Sequence, residues 1–440
     1  MKYLIETYGC QMNKAESAAL EQTLSAYNWE STQDINNADL IIVNTCVVRA
    51  TAENRAWSRI KQLCALKKYR SFYLLITGCL AENQKTTIKE LAPQVDFVLG
   101  NFQKNNLEHI LTTVNSSIPT NSDFEKPAYQ FFAYHGERGA LQAFVPISHG
   151  CNNFCTYCIV PYVRGREISR DPNAILNEIN ILVNDNTKEV TLLGQNVNSY
   201  SWSDDNGLID FAKLLDLVAS HCKSTSIKRI RFLTSHPKDL SPEIIQVMKK
   251  HDNIAKHLHL CVQHGSNKIL KAMNRQYTRE QYLDLVKRLK QEIPELSLST
   301  DILIGFPGET DDDIAETIDL MIKAQFAYSF MYYYNPRKGT PAATMPEQVP
   351  LNIKKQRLSQ IIAVQKQLTQ NVMNQYIGKS ISVLAEGISK RKKTELLARS
   401  EQDFMVCFEG DASLIGKYCT VDILSIAGNT FKAKLTKILE

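Results

Sequence analysis

Three cysteines within eight residues, Cys151-Asn152-Asn153-Phe154-Cys155-Thr156-Tyr157-Cys158, have the spacing of an iron–sulfur site with one iron left open. A tetranuclear cluster has four corners, normally capped by cysteine thiolates, so three thiolates leave one iron free for chemistry. The competing reading is structural zinc, with His149 as a fourth ligand to the three cysteines. Structural zinc modules usually join two short ligand pairs separated by roughly a dozen residues or more. Here every ligand would fall in one short stretch. A second set, Cys10, Cys46 and Cys79, is dispersed through the N-terminal region, so only the fold could bring it together.

The elements around that dispersed set supply the means. Lys2–Thr7, Leu40–Val43 and Phe72–Ile76 are short apolar runs of buried-strand length, each followed by a helix-length polar stretch. Such alternation predicts an open parallel sheet of Rossmann type. Each run ends at a cysteine: Gly9-Cys10, Thr45-Cys46 and Gly78-Cys79. Strand ends in an open parallel sheet lie along one edge, where ligands bind, so three thiolates would meet at one rim. The near-repeat of Gly9-Cys10 and Gly78-Cys79 predicts two turns of shared geometry, with glycine admitting a bulky group. For any single cysteine, core packing is the better explanation. Three at equivalent positions favour a shared metal cluster. Cys64, Cys222, Cys407 and Cys419 lack such company and read as structural.

Periodicity fades between residues 115 and 142, where Asn115–Ser122 is rich in turn formers and reads as a linker. A central domain, 143–374, begins with the strand Phe144–Ser148 that leads into the three-cysteine loop. Strand-like runs recur at Glu189–Leu193, Arg229–Phe232, His257–Leu260, Leu298–Leu303 and Ala327–Tyr333, with helical stretches between them. Six such units predict a partial strand–helix barrel, with its chemistry at the C-terminal strand ends. The turns expected there carry Gln195 and Asn196, Ser235 and His236, Gln263, and Gly305 with Glu309. Taken singly each is an ordinary turn; together they line one pocket. No histidine or carboxylate pair has a spacing that points to acid–base catalysis.

After the helical stretch Leu351–Tyr376, about five short strands make a compact all-β tail, 375–440, consistent with a small barrel. Its first loop carries Lys390-Arg391-Lys392-Lys393. A run of cations on a barrel loop suits phosphate binding, and equally a plain solvated face.

The chain has 440 residues, 44% hydrophobic and 22% charged, with a net charge of +5. That length predicts two or three domains, and the composition is that of a soluble globular protein. No apolar run approaches the ~20 residues that span a bilayer. The opening residues are too polar for a signal peptide, so a cytoplasmic protein is expected. Eleven cysteines in that setting argue for metal or catalysis rather than disulfides.

With Tyr157 before its last cysteine, the Cys151–Cys158 segment resembles the signature of radical S-adenosylmethionine enzymes. That resemblance implies S-adenosylmethionine chelated to the open iron and cleaved to a 5′-deoxyadenosyl radical. The basic tail resembles a TRAM domain. In order and over essentially the whole chain, the parts resemble the methylthiotransferases: an N-terminal domain (1–114) with an auxiliary cluster, a central radical barrel, and TRAM. Carried over, Cys10, Cys46 and Cys79 hold one [4Fe–4S] cluster and Cys151, Cys155 and Cys158 the other. Tyr157, Gln195, Asn196, Ser235, Gln263, Gly305 and Glu309 are the expected cofactor-binding residues, and Lys390, Arg391, Lys392 and Lys393 the RNA-binding ones.

The turns 194–200 and 234–237 look like the bacterial branch that methylthiolates N6-dimethylallyladenosine at tRNA position 37. Sister branches act on threonylcarbamoyladenosine or on an aspartate of a ribosomal protein; a non-catalytic RNA-binding iron–sulfur sensor is the rival from another class. An electron donor such as flavodoxin or ferredoxin is implied, and no membrane. Cys261 and His264 stand where the family usually has proline and serine; Cys261 reads first as a small buried hydrophobe and second as an extra thiol near the site. Neutralising Lys390, Arg391, Lys392 and Lys393 together is expected to weaken tRNA binding and flatten its salt dependence, measured by filter binding at low and high salt. Unchanged binding removes the tail from recognition.

Overall fold

The computed structural model describes residues 1–116, 129–137, 139–205 and 207–439. The middle of the expected linker, 117–128, lies outside the described residues. The chain divides into two compact units. One comprises Met1–Phe154, Cys158–Asp185 and Leu193–Gln195; the other comprises Cys155–Tyr157, Asn186–Leu192 and Asn196–Glu440.

The first unit opens with β1 (Lys2–Tyr8), α1 (Gln11–Ala26), β2 (Glu30–Ser31), β3 (Leu40–Thr45), α2 (Ala50–Leu66), β4 (Tyr73–Gly78), α3 (Cys79–Leu91), β5 (Phe97–Leu99) and α4 (Leu107–Ser116). All strand pairs are parallel, in the order β2-β1-β3-β4-β5. Central β3 is buried along its whole length. Its side chains alternate between two cores, as a period of two dictates. Ile41 and Val43 pack with Ile60 and Leu63 of α2 and Leu80 and Ile88 of α3. Leu40 and Ile42 face the other way, onto Leu20 and Leu24 of α1 and Ile110 and Leu111 of α4. Cys64 lies in the first of these cores. Further along come β6 (Gln142–Pro146), β7 (Ser148–His149), α5 (Val160–Arg164), β8 (Ile168–Ser169) and α6 (Pro172–Asn184).

Strand–helix alternation continues through β9 (Glu189–Leu193), the hairpin β10 (Ser201–Asp204) and β11 (Gly207–Asp210), α7 (Phe211–Cys222), β12 (Arg229–Phe232) and α8 (Pro242–Lys250). It goes on through β13 (His257–His259), α9 (Asn267–Ala272), α10 (Arg279–Glu292), β14 (Ser297–Ile304), α11 (Asp311–Ala324), β15 (Tyr328–Tyr333) and α12 (Leu351–Asn374). In the second unit β12 runs parallel to β9, and β13, β14 and β15 form a parallel sheet. The tail closes into a five-stranded barrel, β16 (Ser380–Ile388), β17 (Glu395–Ser400), β18 (Met405–Glu409), β19 (Tyr418–Ala427) and β20 (Thr430–Ile438), in the order β16-β17-β18-β20-β19. Val383, Leu396, Val406, Phe408, Val421 and Phe431 fill it, with Cys419 among them. No described helix is long and apolar enough to cross a membrane.

The two glycine–cysteine turns differ, contrary to the shared geometry their sequences suggest. Cys10 caps α1 from an extended backbone, whereas Cys79 is already the first helical residue of α3. Gly78 has φ +93°, and a Cβ there would lie 2.3 Å from the Thr45 carbonyl oxygen of the adjacent strand. The neighbouring backbone by itself excludes a side chain here. Gly78→Ala is expected to cost roughly 2–4 kcal/mol, from left-handed strain plus that clash. Urea unfolding measures it, and an unchanged midpoint would contradict the geometry.

Candidate active site

Strand register brings the dispersed trio together. Tyr8 of β1 pairs with Thr45 of β3, and Thr45 with Gly78 of β4. Cys10, Cys46 and Cys79 therefore leave three adjacent strands at one level. A buried amide pair fixes two of the turns. Asn13 Nδ2 donates to Asn44 Oδ1 (3.1 Å) and to the Thr45 carbonyl (3.2 Å), while Asn44 Nδ2 donates back to the Asn13 carbonyl (2.9 Å). Asn13 Oδ1 accepts from the Cys10 amide (3.3 Å). N–H groups address the sulfurs: the Val48 amide approaches Cys46 Sγ (3.3 Å) and Asn101 Nδ2 approaches Cys79 Sγ (3.7 Å).

The Cys46 thiol is pushed up to about 12, first by burial and then by the proximity of Cys79 and Cys10. Thiols this close cannot ionise together unless a cation neutralises them, which suits a metal-binding trio. Among the described residues, His259, Cys261 and Asp301 alone bring three such ligand atoms within 4.8 Å of one another. The trio at the sheet edge is thus spread wider than a tetrahedral zinc site draws its ligands, leaving room for a larger cluster.

Beside it lies a buried ion group that sequence patterns do not reveal. The Glu16 carboxylate, 1% exposed, receives Arg164 Nη1 at 2.7 Å and Lys104 Nζ at 2.6 Å. Burial alone would raise the Glu16 pKa; Arg164 and Lys104 overcome it and hold the carboxyl well below its usual range. Burial also pushes the Lys104 ammonium down, while the paired Glu16 carboxylate opposes that shift. Burial opposes the Arg164 guanidinium too, yet Cys79, Glu16 and Cys10 keep it charged. A cation facing the thiols would offset the negative charge of a thiolate-held cluster. His149 stacks on Tyr129 with ring centroids 3.5 Å apart, and its Nδ1 lies 3.3 Å from Arg164 Nη1. A zinc ion on this histidine would sit beside a guanidinium.

Local bonds also shape the three-cysteine loop. In the first unit the Cys151 amide donates to the Gly165 carbonyl (3.1 Å), the Asn153 amide approaches Cys151 Sγ (3.5 Å), and the Gly150 amide donates to Gln195 Oε1 (2.6 Å). In the second unit Arg275 Nη1 donates to Cys155 Sγ (3.4 Å) and Nη2 to the Cys261 carbonyl (2.6 Å). Thr156 is tied to the Ala272 and Met273 carbonyls, and Tyr157 packs against the hydrophobic cluster that contains Ile269, Met273 and Phe306.

The turn residues fall into two groups. Gln195 supports the cysteine loop. Asn196 is spent on Asp239 (2.6 Å) and on the His236 amide (3.2 Å). The Glu309 side chain is fully buried, accepting from the Gly305 amide (2.7 Å) and Arg357 (3.0 Å) and lying 3.1 Å from His264 Nε2. Gly305 has φ +70° and abuts Lys354. These residues position turns. Ser235 and Gln263 are different. Ser235 Oγ and neighbouring His236 Nε2 are buried without a hydrogen-bond partner among the described residues. Burial, then Arg275 and Lys238, push His236 down to about 2, so its imidazole is neutral. Thr234 and Gln263 both have φ +69°, a costly conformation off glycine that clusters at ligand sites. Orphaned polar atoms beside strained strand-end turns fit a polar cofactor.

His264 is wholly buried against Glu309 and Thr317 and shapes no open surface. Cys261 is buried, and its sulfur faces Asp301 Oδ2 at 3.5 Å. In the tail, Lys390, Arg391, Lys392 and Lys393 are exposed, and among the described residues Lys392 alone of the four has ion pairs, with Glu409 (2.8 Å) and Glu395 (3.5 Å).

Comparison with known proteins agrees with this architecture. The Radical SAM superfamily model matches residues 145–321, and the model described as Uncharacterized protein family UPF0004 matches residues 2–100. The radical S-adenosylmethionine methyltransferase TsrM from Kitasatospora setae, solved with tryptophan substrate and a SAM analogue, has a TM-score of 0.57 at 14% identity, covering 78% of this chain and 75% of its own. The fold and cysteine loop together define a radical S-adenosylmethionine enzyme. The tRNA-2-methylthio-N(6)-dimethylallyladenosine synthase of Treponema denticola is 45% identical over 99% of this chain and 100% of its own length. That of Thermoanaerobacter sp. is 41% identical over 99% and 93%. The chain belongs to the family of tRNA-2-methylthio-N(6)-dimethylallyladenosine synthases.

Because the folded Glu16 carboxyl is held low, its stabilisation is complete above the ordinary carboxylate pKa of about 4.3 and is lost as pH falls toward the folded value. Glu16→Gln strands two buried cations and is expected to cost roughly 3–5 kcal/mol at neutral pH. Urea midpoints taken between pH 7 and about pH 3.5 should fall more steeply for the native protein than for the variant. Parallel curves would contradict the assignment.

Proposed function

We propose that this enzyme methylthiolates C2 of N6-dimethylallyladenosine at position 37 of tRNA. The observation that carries the reading is the pair of cysteine trios, one delivered by three strand ends in register and the other by a single loop. The relatives' names supply the substrate. The cofactors are S-adenosylmethionine and [4Fe–4S] clusters; when bound they supply a radical able to replace a non-acidic ring hydrogen, and a sulfur to put in its place.

The protein's own residues have simpler tasks. Cys10, Cys46 and Cys79 hold one cluster, with Arg164 offsetting its charge; Cys151, Cys155 and Cys158 hold the other. Tyr157, Ser235 and Gln263 line the S-adenosylmethionine site, on turns held by Gln195, Asn196, Gly305 and Glu309. Residues 1–114, 143–374 and 375–440 serve as auxiliary-cluster domain, radical core and RNA-binding barrel. Lys390, Arg391 and Lys393 meet the phosphates, and Lys392 contributes less because it is already paired. The target base lies in a single-stranded loop and is extruded more cheaply than a paired one. A one-electron donor of the flavodoxin or ferredoxin class completes the system, in the cytoplasm where tRNA is available.

Reconstituted enzyme incubated with tRNA carrying or lacking the dimethylallyl group tests the reading by nucleoside mass spectrometry. A methylthio product only from the dimethylallylated tRNA is expected, accompanied by 5′-deoxyadenosine. Product from threonylcarbamoyladenosine tRNA instead, or no 5′-deoxyadenosine, would overturn it.

A further inference from the structure

Apart from the six cysteines above, the second unit contains another set of metal-ligating side chains. His259 at the end of β13 and Cys261 two residues on lie on one face, since side chains alternate along an extended chain. His259 pairs in register with Ser299 of β14, and Asp301 follows two residues later on that strand, level with the same face. His259 Nε2 lies 3.6 Å from Asp301 Oδ2, Cys261 Sγ lies 3.5 Å from the same oxygen, and all three ligand atoms fall within 4.8 Å of one another.

We propose that His259, Cys261 and Asp301 form a binding site for one zinc-class divalent cation, separate from the two cysteine trios. A tetrahedral zinc ion with a Zn–S bond of about 2.3 Å and Zn–N and Zn–O bonds of about 2.0 Å sets its ligand atoms roughly 3.3–3.5 Å apart. The observed separations already approach that, so the ion needs small side-chain shifts and no change of backbone. One nitrogen, one thiolate sulfur and one carboxylate oxygen make a borderline donor set suited to zinc. The histidine is also oriented: its Nδ1 lies 2.9 Å from Ser299 Oγ, which leaves Nε2 for the ion and supplies the outer partner that ligating histidines usually have. Ser299 Oγ is itself 2.8 Å from His257 Nε2, and Tyr328 donates to Asp403 at 2.6 Å while lying 3.1 Å from the same His257 nitrogen. The edge of Phe330 covers the His259 ring.

Charge also balances. Thiolate and carboxylate carry two negative charges against the ion's two positive ones, so the loaded site is neutral beside Arg275, whose guanidinium is anchored on the Cys261 carbonyl. His259 and Cys261 are 7% and 6% exposed, whereas the Asp301 side chain is 28% exposed. The fourth position therefore opens on the Asp301 side, as in catalytic rather than structural zinc sites, and can accept water or a substrate oxygen or nitrogen.

The test uses anaerobically reconstituted holoenzyme given a slight excess of Zn²⁺ and then desalted. Elemental analysis should find about one zinc per chain, lost in both Cys261→Ala and Asp301→Asn with iron and sulfide contents unchanged. Zinc X-ray absorption should show one sulfur near 2.3 Å and nitrogen or oxygen ligands near 2.0 Å. If Cys261→Ala does not fold, Asp301→Asn and the absorption spectrum decide. No retained zinc, zinc retained equally in the variants, or an all-sulfur environment would each overturn the proposal. Since iron is counted separately, a failure here is distinct from a failure of the cluster assignment.

Discussion

Register among three parallel strands is the constraint on which the rest depends. Tyr8, Thr45 and Gly78 stand side by side across β1, β3 and β4, so the chain leaves all three strands at one level and turns with a cysteine each time. A one-residue slip of β3 would move Cys46 out of line and reverse Ile41 and Ile42 between the two cores. The apolar packing that fixes the sheet therefore also fixes the thiols. The Asn13–Asn44 bonds and the conformation of Gly78 tighten the arrangement at the edge itself.

Electrostatics then makes the edge usable. Burial first, and then the neighbouring Cys79 and Cys10, push the Cys46 thiol up, and the buried Arg164 guanidinium supplies a compensating charge. Arg164 is itself tolerable inside the protein because Glu16 neutralises it. The second unit repeats the principle in another form. Arg275 reaches Cys155 Sγ while bracing the Cys261 carbonyl, and the turns after β12 and β13 hold Thr234 and Gln263 in strained conformations. In both units the strand ends carry the reactive groups, and long-range polar contacts hold them in place.

How much of this could be read from the sequence follows from the range of each interaction. The parallel strands and the closed barrel depend on local periodicity, and they stand where the sequence places them. The Glu16–Arg164 pair joins residues 148 apart and has no local signature. The same holds for Asn101 on Cys79, and for Asn13 with Asn44. Gln195, Asn196 and Glu309 were legible as turn residues but not in orientation, because which way a polar side chain points depends on partners elsewhere in the chain. Gly9 and Gly78 look alike in sequence and differ in structure: a Cβ at Gly78 would meet the Thr45 backbone carbonyl of the adjacent strand, whereas one at Gly9 would meet the Asn13 side chain. Cys261, isolated in sequence, gains His259 and Asp301 only through strand pairing.

The central claim is that two separate thiol trios each hold an iron–sulfur cluster. Iron and acid-labile sulfide in anaerobically prepared protein, with Cys10→Ala and Cys151→Ala made separately, test it most directly. Each substitution is predicted to remove about half of both, leaving the other cluster's share intact. Loss of all the iron from either single change, loss from only one of them, or colourless protein carrying zinc at the trios would contradict the account.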